Sequence, residues 1–157
     1  MTTLTNFTFD EIEIGQTATY SKTLTEEDIA LFAATSGDVN PVHLDEAFAA
    51  DSLFKQRIAH GMWTGGLISA AIALELPGPG TIYLGQNLSF RAPVFLGDTI
   101  TITLEVTAKQ DDKKFVTMSC VATNQKGKAV VKGEAQVLAP SEKVSISAPA
   151  LPIITVG

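Results

Sequence analysis

The chain holds two histidines, and each stands beside residues that could share its chemistry. His43 follows Asp38 by five positions, with Asn40-Pro41 between them, and His60 directly precedes Gly61-Met62. A carboxylate and an imidazole held close together can take a proton from water and return one to carbon, the work of a general acid–base pair. The same residue types also have an ordinary use, since Asp and Asn close turns and cap helices with their own side chains. On residue types alone the two readings stand level, because carboxylate–imidazole pairs also occur in structural settings. Other chemistries fit less well. His43 and His60 lie 17 positions apart with no third strong ligand near them in sequence, a poor zinc pattern, so no metal is expected. Ser69 has nothing around it that resembles the Gly-x-Ser-x-Gly elbow of a nucleophilic serine. Cys120 is the one cysteine. It permits no internal disulfide, and in an apolar, strand-like run it reads as core filler.

These groups need a scaffold, and the flanking sequence specifies one. Residues 17–24, rich in Thr, read as a strand. Thr25 suits a helix N-cap, with Glu26, Glu27 and Asp28 in a first turn where acidic groups favour the dipole. Ile29, Phe32, Ala33 and Ser36 then recur on one face, and Gly37 offers a left-handed stop. Residues 38–44 read as a loop, because Pro41 disfavours the helical region for Asn40. Asp45 caps a short helix holding Ala47, Phe48 and Ala49, and a linker covers residues 51–57. Residues 61–76 form a helix that is apolar on nearly all sides, the mark of a buried element, ended by Pro77-Gly78-Pro79-Gly80. From there the period switches to two. Strands are expected at 81–90, 99–107, 115–123 and 129–138, with Ile100, Ile102, Leu104 and Val106 alternating against polar neighbours and charged turns between them.

About five antiparallel strands and one wholly apolar helix have a natural solution: the sheet curls around the helix. That is the α+β hot-dog arrangement, here a single domain over residues 1–157 with 140–157 as a possible extended tail. The free sheet edges point to a homodimer. Hydrophobic residues are 45% and charged residues 18% of the chain, enough for a sizeable core. The net charge of −6 and the lack of a Lys/Arg run argue against a nucleic-acid partner. His60, Thr64, Ser69 and Glu75 interrupt the longest apolar stretch, which falls short of a membrane span. Without a basic, apolar leader at the start, the expected location is the cytoplasm.

The stretch Ser36-Gly37-Asp38-Val39-Asn40-Pro41-Val42-His43, followed by Ala59-His60-Gly61-Met62, resembles the hydratase motif of MaoC-like enzymes. In length and layout the chain is similar to the (R)-specific enoyl-CoA hydratases, which supply monomers for polyhydroxyalkanoate synthesis. The resemblance continues through residues 76–86 and 93–98 and covers residues 13–140. It implies that Asp38 and His43 bind and activate a water, and that the Gly61 backbone N–H meets the thioester carbonyl. It further implies that Ser69 lines the acyl pocket and that Asn40 supports the loop. Water would add across a 2-enoyl-CoA double bond while charge develops on the thioester oxygen, which needs donors fixed beforehand. Unpaired N–H groups at the start of a helix at Gly61 would serve. Coenzyme A enters with the acyl-CoA substrate, and no separate cofactor is expected. Rival readings are a 3-hydroxyacyl-acyl-carrier-protein dehydratase, a thioesterase and a non-catalytic acyl-CoA-binding hot dog. Within the helix, Ser69 and Ile72 are expected to floor the pocket, with Met62 and Trp63 as a wall. His60 is expected to cap or pack at the helix start. Lys55, Arg57, Arg91, Lys113 and Lys114 are the cations available to coenzyme A phosphates, none of them assigned.

Overall fold

Alternation with period two makes long strands here, and their inward residues set where everything else can sit. The computed structural model describes residues 2–157. The first strand, β1 (Thr3–Thr5), is followed by a 3₁₀ turn at Phe9–Glu11 and by β2 (Thr17–Thr23). Four helices come next: α1 (Glu26–Ser36), α2 (Pro41–Leu44), α3 (Glu46–Ala50) and α4 (Gly61–Leu74). The chain then runs through β3 (Ile82–Phe90), β4 (Thr99–Gln110), β5 (Phe115–Thr123), β6 (Ala129–Leu138) and β7 (Ser145–Ser147). Five strands form one antiparallel sheet in the order β2-β4-β5-β6-β3. On β4, Ile100, Ile102, Leu104 and Val106 point inward, and on β5 Val116, Met118, Cys120 and Ala122 do the same, all of them buried. Cys120 is thus core, as its neighbours suggested, and burial pushes its thiol pKa up, which keeps it protonated.

Against this face lies α4, the hot-dog helix. It buries Trp63, Thr64, Leu67, Ile68, Ala71 and Ile72, whereas Met62, Gly66, Ser69 and Ala73 remain exposed. A helix apolar all round is expected to be covered all round; the sheet covers one flank, because five strands curl past only one side of it. The helix ends at Leu74, two residues before the expected stop, and Leu76 already packs in the core.

Local signals hold α1 in place. Thr25 Oγ1 accepts from the Asp28 N–H, and the Asp28 carboxylate accepts from the Thr25 N–H, a reciprocal capping box. Gly37 ends the helix at φ 82°. One expectation is corrected. Residues 41–44, read as loop, form the single turn α2, because a proline at the first helical position has no N–H to leave unpaired and its φ is already helical. The tail also has partners: β7 pairs with β1. Buried Asn6 donates to the carbonyls of Pro79 and Glu142 and accepts from the Val144 N–H. Residues 148–157 then run on without secondary structure. No helix among the described residues is long and apolar enough to cross a membrane.

Ile72 is 2% exposed, so truncating it removes core rather than pocket wall. Ile72→Ala is expected to cost about 2–5 kcal/mol, read by chemical denaturation. An unchanged midpoint would place Ile72 outside the core.

Candidate active site

The segment after α1 is a ladder of short side-chain turns. Ser36 Oγ accepts from the Asp38 N–H at 3.1 Å, Asp38 Oδ1 from the Asn40 N–H at 3.1 Å, and Asn40 Oδ1 from the Val42 N–H at 3.2 Å. The Asp38 carboxylate has one oxygen for each reading. Oδ1 closes the turn, and Oδ2 faces His43 Nε2 at 3.8 Å. Asn40 supports this turn as the N-cap of α2.

Nδ1 of His43 lies 2.8 Å from the Ile58 carbonyl oxygen. A carbonyl can only accept, so Nδ1 carries a proton, and in the neutral form of the ring the lone pair lies on Nε2, facing Asp38. The His43 side chain is 10% exposed and that of Asp38 48%, so the pair has a dry side and an open side. His60 completes the cluster. Its ring stacks on His43, with centroids 3.8 Å apart and planes at 24°, and leans on Phe32 at 4.8 Å. Its Nε2 donates to the Asp38 carbonyl at 2.9 Å, which leaves Nδ1 as a buried acceptor without a partner. His60 therefore packs at the start of α4 rather than capping it.

Although distant in sequence, Asp38, His43 and His60 bring ligand-type atoms within 4.8 Å of one another.

Two cavities meet at Gly61. One, of about 350 Å³, is lined by His43, His60, Gly61, Phe90, Arg91 and Val94 among others. The other, of about 470 Å³, is lined by Phe32, Ser36, Asp38 and Met62 and shares His60, Gly61 and Phe90 with the first. The first N–H groups of α4 have no intrahelical acceptor and form the positive end of its dipole. A Cβ at Gly61 would stand 2.9 Å from Phe90 Cε1, so only glycine leaves this wall as it is. Ser69 and Met62 line a further groove of about 560 Å³ against Tyr83, Leu84 and Leu88. In that groove the Tyr83 hydroxyl donates to Gln86, and burial pushes its pKa up to about 12, with Cys120 adding to the rise.

Two expected pocket residues are elsewhere. Trp63 and Ile72 pack in the core beneath α4, and neither lines these three cavities. Helical spacing put Ile72 near Ser69 but did not show that the sheet covers its side. Arg57 is also not free to meet a phosphate: it is buried, paired with Glu26 at 2.6 Å, and donates to the His43 carbonyl. Arg91, by contrast, lines the first cavity. Phe32, which the sequence places on one face of α1, and Phe54 and Phe90, which it does not single out, stand on the cavity walls; an aromatic directly before the Arg91-Ala92-Pro93 strand break is the available sign at Phe90.

The MaoC like domain family matches residues 9–132. The chain belongs to the MaoC-like family. This MaoC-like chain is 50% identical to an (R)-specific enoyl-CoA hydratase of Rhodospirillum rubrum, over 85% of its length and 92% of that protein. To the (R)-specific enoyl-CoA hydratase of Aeromonas caviae it is 47% identical, over 82% of its length and 96% of that protein. Among solved structures, the unliganded R-hydratase PhaJ1 of Pseudomonas aeruginosa aligns with a TM-score of 0.95 and 54% identity, covering 99% of this chain and 100% of that one.

The hydrogen bonds fix opposite tautomers on the two stacked rings. In ¹⁵N-resolved imidazole spectra, the neutral ring of His43 should appear as the Nδ1–H form and that of His60 as the Nε2–H form. Two rings of the same tautomer would contradict this arrangement.

Proposed function

We propose that this chain adds water to trans-2-enoyl-CoA to give (R)-3-hydroxyacyl-CoA, as a cytoplasmic homodimer that needs no metal or redox cofactor. One observation carries the reading: Asp38 Oδ2 and His43 Nε2 stand 3.8 Å apart, too far for a direct hydrogen bond and both acceptors. A water donating to both has its oxygen lone pairs free to attack. Attack on C3 moves the double-bond electrons toward the thioester, whose oxygen gains charge opposite the Gly61 N–H. The proton lost by the water passes to the pair, and a proton from the pair returns to C2, so H and OH add across one face. A fixed oxyanion donor of this kind is worth about 2.7–4 kcal/mol in the transition state. The names carried by the relatives from Rhodospirillum rubrum and Aeromonas caviae support the same chemistry. A solved (R)-hydratase of Aeromonas caviae, 47% identical, is involved in PHA biosynthesis, which favours the same role here, carrying fatty-acid oxidation products into that synthesis.

The homodimer rests on exposed apolar surface. β3 is an edge strand, and Ile82, Leu84 and Phe90 along it are 54%, 44% and 54% exposed. Met62, 55% exposed on the uncovered flank of α4, adds to the same region. A second copy on this side would cover it and close the groove at Ser69 and Met62 around an acyl chain. Sedimentation should give twice the chain mass at micromolar concentration; a stable, active monomer is the contrary result.

With crotonyl-CoA, the protein should consume the double bond without releasing free thiol, and the product should be the (R)-alcohol. Free coenzyme A would instead mark a thioesterase. Asp38→Asn retains the Oδ1 acceptor of the turn, and His43→Gln retains a polar side chain. Each should fold and bind enoyl-CoA while kcat falls about 10²–10⁴-fold. The two losses should not add in the double variant, because both groups act on one water. Full activity in both single variants would leave a binding module as the better account.

A further inference from the structure

Both members of the pair are gripped by their own main-chain carbonyls. His60 Nε2 donates to the Asp38 carbonyl at 2.9 Å, and Arg57 Nε donates to the His43 carbonyl at 2.7 Å. The two donors flank Ile58, whose carbonyl accepts from His43 Nδ1. Four consecutive residues thus make three side-chain hydrogen bonds to the catalytic turn. The segment is itself fixed to the connection between β3 and β4, with Ala59 N–H donating to the Val94 carbonyl and Ile58 bridging to Phe95.

Ordinary structural needs do not account for this use of Arg57 and His60. Arg57 is 8% exposed, yet its one ion-pair partner, Glu26, is 68% exposed at the side chain; a buried cation so thinly compensated is costly. His60 is 3% exposed and keeps a buried Nδ1 without a hydrogen-bond partner, a further cost. Each cost accompanies one donated hydrogen bond to the backbone of a catalytic residue. The His43 carbonyl belongs to the single turn α2, which is too short to satisfy its own last carbonyls.

We infer that Arg57 and His60 are positioning residues that set the Asp38–His43 separation through those two carbonyls; this rests on the reading of Asp38 and His43 as the acid–base pair. Neither touches the reacting atoms in this role. Their contribution is to kcat, since displacement of a catalytic group by about 1 Å can cost on the order of 10²-fold.

Substitutions can separate the donor from the rest of each side chain. Gln carries an N–H₂ on Cδ, where arginine carries Nε, so Arg57→Gln keeps a donor for His43 and loses the pair with Glu26. Arg57→Met loses both. Likewise His60→Gln can reach the Asp38 carbonyl, while His60→Phe keeps the stack on His43 without the donor. Hydration of crotonyl-CoA by the full-length protein is the assay, with melting temperature measured beside it. Arg57→Met and His60→Phe should lower kcat about 10–100-fold with KM within about threefold. Each Gln variant should recover kcat to within about fivefold of the parent, and Glu26→Gln should leave kcat near the parent value. The inference is overturned if the Gln variants lose as much kcat as Met and Phe, if losses track melting temperature alone, or if they fall on KM. Should His60→Phe not fold, the Arg57 series decides by the same criteria. Full activity in Asp38→Asn and His43→Gln would instead sink the catalytic pair itself, an outcome these variants do not share.

Discussion

One hydrogen bond organises the site, from the Nδ1–H of His43 to the carbonyl of Ile58. It selects the tautomer, and by doing so it decides that the ring nitrogen facing Asp38 is an acceptor. It also ties a four-residue turn, too short to hold itself, to the strand-like segment that runs directly into α4. The positive end of α4 and the pair are therefore set by a single piece of backbone. Because that backbone is bonded to Val94 and Phe95, its position is referred to the connection that joins β3 to β4.

The two tasks of Asp38 show how little separates a turn residue from a catalytic one. A carboxylate has two oxygens, and here one accepts from the Asn40 N–H while the other looks across 3.8 Å at an imidazole. The structural role keeps the group oriented at no expense to the second oxygen. The same economy appears in His60, where one nitrogen holds a carbonyl and the ring face holds His43.

Much of this was legible in the sequence where side chains report their own surroundings. The strands could be read because alternation on β4 and β5 leaves Ile102 or Cys120 inside and a polar neighbour out. Thr25, Asp28 and Gly37 announce the two ends of α1 by local bonding alone. The Asp38–His43 motif and Gly61 could be placed because the chain resembles a family with that pattern. What stayed hidden depends on distant partners. An all-round apolar helix carries no phase, so nothing in it says that Trp63 and Ile72 meet the sheet while Met62 and Ser69 do not. Arg57 looks like one more surface cation until Glu26, 31 positions earlier, is brought beside it. Pro41 reads as a breaker or as a first helical residue with equal ease. β1 and β7 are three residues each, too short for a period, and pair across most of the chain.

The order in which the elements occur along the chain gives α4 a difficult early life. Its sequence is complete at Leu74, but of the strands packed on it, β2, β4 and β5, the last ends only at Thr123, 49 residues later. At a synthesis rate of roughly 5–20 residues per second, that leaves the flank of Trp63, Leu67, Ile68 and Ile72 incompletely covered for roughly 2–10 seconds. During this interval the helix is an apolar segment waiting for its sheet, and the turn from Asp38 to His43, already synthesised, waits for the β3–β4 connection against which the Ile58 segment is fixed. The candidate acid–base residues are therefore made first and positioned last.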